Sequence, residues 1–142
     1  MMFSEGLLDG RVAIVSGAGS GIGRATALEL ARLGATVVGC GRRLEPLQET
    51  AAQARGVEPV TCDIREEDQV DSLVQGALER HDRIDILVNN AGGQFLSPAE
   101  DITAKGFRTV VRLNLEGTWL MTHAVATQAF IPSGRGGRVI SV

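Results

Sequence analysis

The sequence predicts an α/β domain, a doubly wound parallel sheet with helices on both faces, and three observations carry that prediction. Short apolar runs alternate with longer amphipathic ones along the whole 142 residues, without an internal repeat, a low-complexity tract or an obvious linker. The apolar runs are continuous, as strands covered on both faces require. The stretches between them are too long for hairpin turns and long enough for crossover helices.

The elements follow in order. Val12–Ser16, Thr36–Cys40, Glu58–Cys62, Ile84–Asn89 and Arg138–Val142 read as strands. Ile22–Leu33, Leu44–Ala54, Glu66–Arg80 and Thr103–Phe130 read as helices, the last broken near Leu115. Gly34 closes the first helix, where a left-handed C-cap is needed, and Pro132 with Gly134, Gly136 and Gly137 ends the last. In the sheet order 3-2-1-4-5, Cys40 and Cys62 end neighbouring strands. They read as small buried hydrophobes rather than as a disulfide or a metal pair.

The totals bound the function. One domain of this length buries roughly two thirds of its unfolded surface, so a single core is expected. Hydrophobic residues make up 44% and charged residues 22%, and the formal net charge is −3, so there is no basic excess to suggest a nucleic-acid partner. The two cysteines fit neither a secreted disulfide framework nor a C-x-x-C zinc site, which favours a reducing, cytoplasmic setting and no metal. The first residues carry Glu5 where a signal peptide needs basic residues, and no apolar stretch approaches the roughly 20 residues of a membrane span, so no membrane partner is expected. The chain contains no tyrosine, and Lys105 is its only lysine.

The most informative stretch is residues 16–23, SGAGSGIG, between the first strand and the first helix. The general dinucleotide pattern G-x-G-x-x-G fails in every frame, because the final position falls on Ile22, Arg24 or Thr26. A strand-turn-helix junction is nevertheless an anion site, since the first helical N–H groups lack acceptors and carry partial positive charge. Gly17 allows the turn, Gly21 lets a ligand approach the backbone, Gly23 allows close packing of the helix, Ser20 can donate to a phosphate, and Gly19 adds turn freedom. A mononucleotide P-loop would need Gly-Lys-Ser/Thr, which a lone lysine at position 105 cannot supply.

The spacing G-x-x-x-G-x-G of Gly17, Gly21 and Gly23, followed after the fourth strand by Asn89-Asn90-Ala91-Gly92, resembles the short-chain dehydrogenase/reductase family. The likeness runs from Leu8-Asp9-Gly10-Arg11-Val12 to Gly137-Arg138-Val139-Ile140. It implies a Rossmann-type sheet in which Gly17, Ser20, Gly21, Ile22 and Gly23 bind the cofactor. Asp63 and Ile64 would contact the adenine, although Asp63 reads equally well as a helix N-cap before Glu66 and Glu67. Asn90, Ala91 and Gly92 would steady the sheet and line the cofactor. Asn114 would take the catalytic position that bends the helix and anchors a relay water.

An NAD site usually places a carboxylate at the end of the second strand for the ribose 2′-OH. This chain reads Gly39-Cys40-Gly41-Arg42-Arg43 there, two guanidiniums and no acid, which favours NADP(H), with Arg42 the better phosphate ligand and Arg43 the second.

The family's proton donor is a Tyr with a Lys four residues later, assisted by a Ser. No such pair exists in residues 1–142, and Ser141 falls about three positions before the family's serine. The expectation is a Rossmann domain truncated after its fifth strand, with residues 1–142 the dinucleotide-binding part and about a hundred further residues supplying the catalytic part. The alternative is a non-catalytic dinucleotide-binding module.

The loop Gly93-Gln94-Phe95-Leu96-Ser97-Pro98-Ala99-Glu100 is similar to the branch of the family that reduces enoyl-CoA thioesters, notably peroxisomal trans-2-enoyl-CoA reductase. That implies a small-molecule acyl-CoA substrate bordered by Gln94 and Phe95, with a 3-oxoacyl or other ketone reductase as the second reading. Phe107, Trp119 and Phe130 on the last helix suit the core or a contact between subunits of a homodimer or homotetramer. His81 and His123 read as surface residues.

Overall fold

The computed structural model describes residues 2–142. Five strands, β1 (Val12–Ser16), β2 (Thr36–Gly41), β3 (Val57–Thr61), β4 (Ile86–Asn89) and β5 (Arg138–Ser141), form one parallel sheet in the order β3-β2-β1-β4-β5. The predicted α/β doubly wound architecture and strand order hold, and the strand boundaries move by at most two residues.

Alternation along each strand divides the core between the two faces of the sheet. Ala13, Val15, Val37 and Val88 face α1 (Gly21–Arg32) and α2 (Leu44–Ala51), packing with Ala18, Ala27 and Leu47. Ile14, Val38, Cys40 and Leu87 face the other way, against α3 (Glu67–His81) and the last helical run, packing with Leu73, Val74, Met121 and Val125. Cys62 joins this second cluster, and both thiols are free and buried as expected. Burial pushes both thiols up, that of Cys62 to about 11, so neither is an available nucleophile.

The last helical run is not broken at Leu115. It continues as α4 (Ala104–Val111), a π-helical turn (Arg112–Glu116), α5 (Gly117–Val125), a second π-helical turn (Ala126–Phe130) and α6 (Ile131–Ser133). The irregularity expected near Leu115 is a widened turn, taken up without loss of helix. Just after the first π turn and within the second, a threonine hydroxyl donates to a carbonyl four residues back, Thr118 to that of Asn114 and Thr127 to that of His123, each at 2.7 Å. Just past the first turn the helix lies hard against the β3–α3 loop, where a Cβ on Gly117 would come within 2.8 Å of Ile64 Cδ1.

The aromatic residues of this run divide. Phe130 is buried in the core, whereas Phe107 and Trp119 are exposed, Trp119 stacking on His123 with ring centroids 4.8 Å apart. His81 differs from expectation: its side chain is half-buried at the end of α3, 2.9 Å from Glu58. No helix among the described residues is long and apolar enough to cross a membrane.

Candidate functional site

The carboxyl ends of β1, β2 and β4 meet at the glycine turn, and side chains tie them together. Ser16 ends β1 buried. Its hydroxyl accepts the N–H groups of both Asn90 and Ala91 at 3.0 Å and donates to the Val88 carbonyl at 3.4 Å. Asn90 returns the contact, its side-chain amide donating to the carbonyls of Ser16 (3.1 Å) and Gly17 (3.3 Å). From β2, the Cys40 carbonyl accepts the Gly17 and Ala18 N–H groups at 2.8 and 3.2 Å.

The turn carbonyls are also held by side chains of α1 and α2. Thr50 donates its hydroxyl to the Ala18 carbonyl at 2.9 Å, while Arg24 reaches the Gly19 carbonyl (2.6 Å), Thr50 (2.9 Å) and Glu49 (3.0 Å). The N–H groups of residues 19–23 find no acceptor among the described residues. Five donors clustered where a helix begins form a ready anion cradle.

The four glycines of the turn divide by what a side chain would meet. At Gly17 (φ +68°) a Cβ would stand 2.7 Å from Asn90 Nδ2, at Gly19 it would touch Pro46 at 3.0 Å, and at Gly23 it would collide with the Gly17 carbonyl. Gly21 (φ +54°) is the exception, with nothing within 4 Å. The space beside it is open next to the unpaired donors, so the residues of the turn fit an anionic group such as a pyrophosphate. Two readings from sequence change here. Gly19 has no positive φ and serves close packing on Pro46, and Gly23 packs against the turn and Asn90 rather than the sheet. Ser20 sits at the N-cap with its side chain unengaged, and Ile22 beside it is exposed.

A crevice runs from this turn across the end of β2. One cavity of about 170 Å³ is bounded by Gly17, Arg42, Asp63, Ile64, Ala91 and Leu113, with Gly92 also on its wall. A second, of about 240 Å³, also touches Arg42 and Leu113 and is lined by Arg65, Gln94, Phe95 and Thr109. The structure brings Arg42, Asp63, Ile64, Ala91 and Gly92 together around one cavity. Arg43, at the N-cap of α2, lines neither cavity. Gln94 and Phe95, expected at a substrate, share their cavity with Arg42, the residue expected at the cofactor's phosphate.

Asp63 is gripped by Arg65, Nε to Oδ1 at 2.9 Å and Nη2 to Oδ2 at 2.6 Å, and its Oδ1 accepts the Arg65 N–H at 3.1 Å. This fork holds the Asp63 carboxyl down at about 2, against partial burial, and the Arg42 charge adds to the effect. Asn114 lies in the first π turn and brackets one residue: Oδ1 accepts the Gly93 N–H at 2.9 Å and Nδ2 donates to the Gly93 carbonyl at 2.8 Å. A widened helical turn at a candidate site is a recurrent association.

Sequence reasoning missed Ser16, Arg24, Thr50 and Arg65. Ser16 carried a signal, a polar residue closing an apolar strand directly before the glycine turn. Thr50 carried none, since its contacts cross from one helix to a distant loop.

The comparisons with known proteins agree with this geometry. The short chain dehydrogenase family model matches residues 11–142. Among curated proteins, the sorbitol dehydrogenase of Cereibacter sphaeroides is 38% identical over 139 residues, covering 95% of this chain and 53% of the relative. The peroxisomal 2,4-dienoyl-CoA reductase of Arabidopsis thaliana is 33% identical over 140 residues, covering 96% and 46%. The chain thus spans about half the length of the curated relatives it matches. Among solved structures, the citronellol catabolism dehydrogenase AtuB of Pseudomonas aeruginosa PAO1 superposes with a TM-score of 0.91 at 46% identity, over 99% of this chain and 58% of that one. An actinorhodin polyketide ketoreductase with NADPH matches at 0.87 and 32% identity, over 92% and 52%. The 3-ketoacyl-(acyl-carrier-protein) reductase of Brucella melitensis, complexed with NADH, matches at 0.87 and 34% identity, over 94% and 57%.

Proposed function

Because this chain belongs to the short-chain dehydrogenase/reductase family, we propose that it forms the cofactor-binding half of an NADP(H)-dependent oxidoreductase acting on an acyl thioester such as a trans-2-enoyl-CoA. When bound, the nicotinamide cofactor supplies or accepts a hydride. The protein's own residues do the rest. The N–H groups around Gly21 and the free Ser20 hydroxyl take the pyrophosphate. Asp63 and Ile64 would meet the adenine, and Arg42 the 2′-phosphate, all three lining one cavity. Asn90 and Ser16 keep the turn in shape, and Asn114 fixes Gly93 where the loop toward Gln94 and Phe95 begins.

The observation that carries the cofactor assignment is Arg42, which lines the crevice at the end of β2 where the segment Gly39-Cys40-Gly41-Arg42-Arg43 has no carboxylate. NADPH and NADH would be titrated against the protein and its Arg42→Ala variant. NADPH is expected to bind more tightly, and the variant to lose about tenfold in NADPH affinity with NADH nearly unchanged. Tighter NADH binding by the unaltered protein, or an unchanged NADPH affinity in the variant, would sink the assignment.

The acyl-thioester reading draws support from the loop Gly93–Glu100 and from the similarity to a peroxisomal 2,4-dienoyl-CoA reductase. A 3-oxoacyl or other ketone reductase is the second reading, supported by the likeness to two ketoreductases. Turnover of an enoyl-CoA and a 3-oxoacyl-CoA by the whole enzyme separates the two. The exposed Phe107 and Trp119 suit a contact between copies in a homodimer or homotetramer, and the two free thiols suit a reducing, cytoplasmic setting.

A further inference from the structure

Asp63 is the single carboxylate lining either cavity of the crevice, and two arginines, Arg42 and Arg65, line the crevice with it. Arg42 shares its cavity. Arg65 closes on it with two side-chain bonds and one backbone bond. The loop that carries this pair is fixed from two further elements: Gln69 of α3 accepts the Asp63 N–H at 2.9 Å, and Arg112 reaches the Arg65 carbonyl at 3.4 Å while pairing with Glu66 at 2.7 Å.

A carboxylate left free at this position would act twice against a phosphorylated ribose. It would repel the dianion, and it would compete for the Arg42 guanidinium, the nearest remaining cation on its wall. The fork answers both problems, since a bidentate arginine satisfies the two carboxylate oxygens and cancels their charge. We infer that Arg65 is a specificity-determining residue for the cofactor: by occupying Asp63 it removes the one negative charge from the crevice and leaves Arg42 free for a 2′-phosphate. Arg65 acts through Asp63 and is a positioning residue. The inference rests on the NADP(H) reading above.

The experiment measures dissociation constants of NADPH and NADH for the unaltered protein, Arg65→Gln, Arg65→Lys, Asp63→Asn and the double variant Asp63→Asn/Arg65→Gln. Arg65→Gln is expected to weaken NADPH about tenfold and NADH about twofold or less, while Arg65→Lys keeps most of the preference. In the double variant no carboxylate remains to be screened, so its NADPH-to-NADH ratio returns to that of Asp63→Asn alone. Equal weakening of both nucleotides by Arg65→Gln would reduce Arg65 to a prop for the loop and overturn the inference. A preference that stays lost in the double variant would place Arg65 on the phosphate itself and overturn it as well. Preference of the unaltered protein for NADH would instead remove the NADP(H) reading beneath it.

Discussion

Strand β4 has two neighbours, and they differ in almost everything but direction. Both pair with it in parallel, β1 through Ala13–Val15 and β5 through Arg138–Ser141. All five residues of β1 are buried, and all four of β5 are exposed. On the β1 side the polar groups close on one another, with Ser16 serving two N–H groups and a carbonyl. Toward the long helix, Asn89 donates to Thr122 at 3.0 Å, while its Oδ1 is buried and finds no partner among the described residues. β5 is the last strand of a stretch that spans about half the length of the curated relatives, so the contrast measures how far each strand is packed within these 142 residues. Backbone pairing alone places a strand, but only packing and satisfied polar groups on both sides make its end rigid enough to hold a ligand. The glycine turn grows from the strand that has both.

The largest test of this contrast compares the same truncation in the two strands. Ile14 is fully buried and Ile140 is 51% exposed. Ile14→Ala should cost about 2–5 kcal/mol of stability through lost burial and a residual cavity, and Ile140→Ala less than about 1 kcal/mol. Chemical denaturation of both variants checks it, and equal losses would mean that β5 is covered in solution.

A smaller effect is expected from Ser16→Ala, which leaves the partly buried Asn90 and Ala91 N–H groups without an acceptor. Stability should fall by about 1–3 kcal/mol, the cost of leaving such donors unsatisfied. The same change should weaken dinucleotide binding, because Asn90 braces the Gly17 carbonyl from the other side of the pair. A variant as stable as the parent, with unchanged binding, would show that the turn keeps its shape without this tie.

How much of this could be read from the chain alone follows from the range of each interaction. The strands and the glycine turn were legible because apolar runs and φ-dependent glycines are local signals. Gly17, Gly21 and Gly23 were found by spacing, and Arg42 by the missing acid at the end of β2. Gly19 was misread, because its need for a bare Cα comes from Pro46, 27 positions further on, and no local pattern reports that approach. The break expected near Leu115 became a π turn for a similar reason: the helix is held there by Gly117 against Ile64 and by Asn114 on Gly93, contacts between distant parts of the chain. Arg65 was legible as a charge but not as the partner of Asp63, since a side chain two residues on can turn either way.

Asn114 offers a milder way to disturb the crevice on the side away from β1. Both of its bonds to Gly93 are exposed, so water replaces them when they are lost. Asn114→Ala should cost about 1 kcal/mol, yet it should free the Gly93 loop. Amide hydrogen exchange reads this directly: the Gly93 N–H should exchange faster while that of Gly17, bonded to the Cys40 carbonyl, keeps its protection. Faster exchange at both would mean that the two parts of the crevice open together, and the contrast between the neighbours of β4 would not extend to the loops beyond them.

The smallest effect is electrostatic and depends on pH. Arg65 holds the Asp63 carboxyl at about 2 in the folded chain, below the ordinary value near 3.9 that the unfolded chain restores. A depressed carboxylate stabilises the fold in full above about pH 4, and that contribution disappears as the pH falls to about 2. The pair is partly exposed, 26% at Arg65 and 19% at Asp63, so solvent screening limits the contribution to about 1 kcal/mol. Denaturation of the parent and of Asp63→Asn at a series of pH values isolates it. The parent's advantage should be level between pH 5 and 7 and shrink below about pH 4. An advantage that is the same at pH 3 as at pH 6 would mean that the fork is not held in solution, and with it would go the screening of the crevice that Arg65 provides.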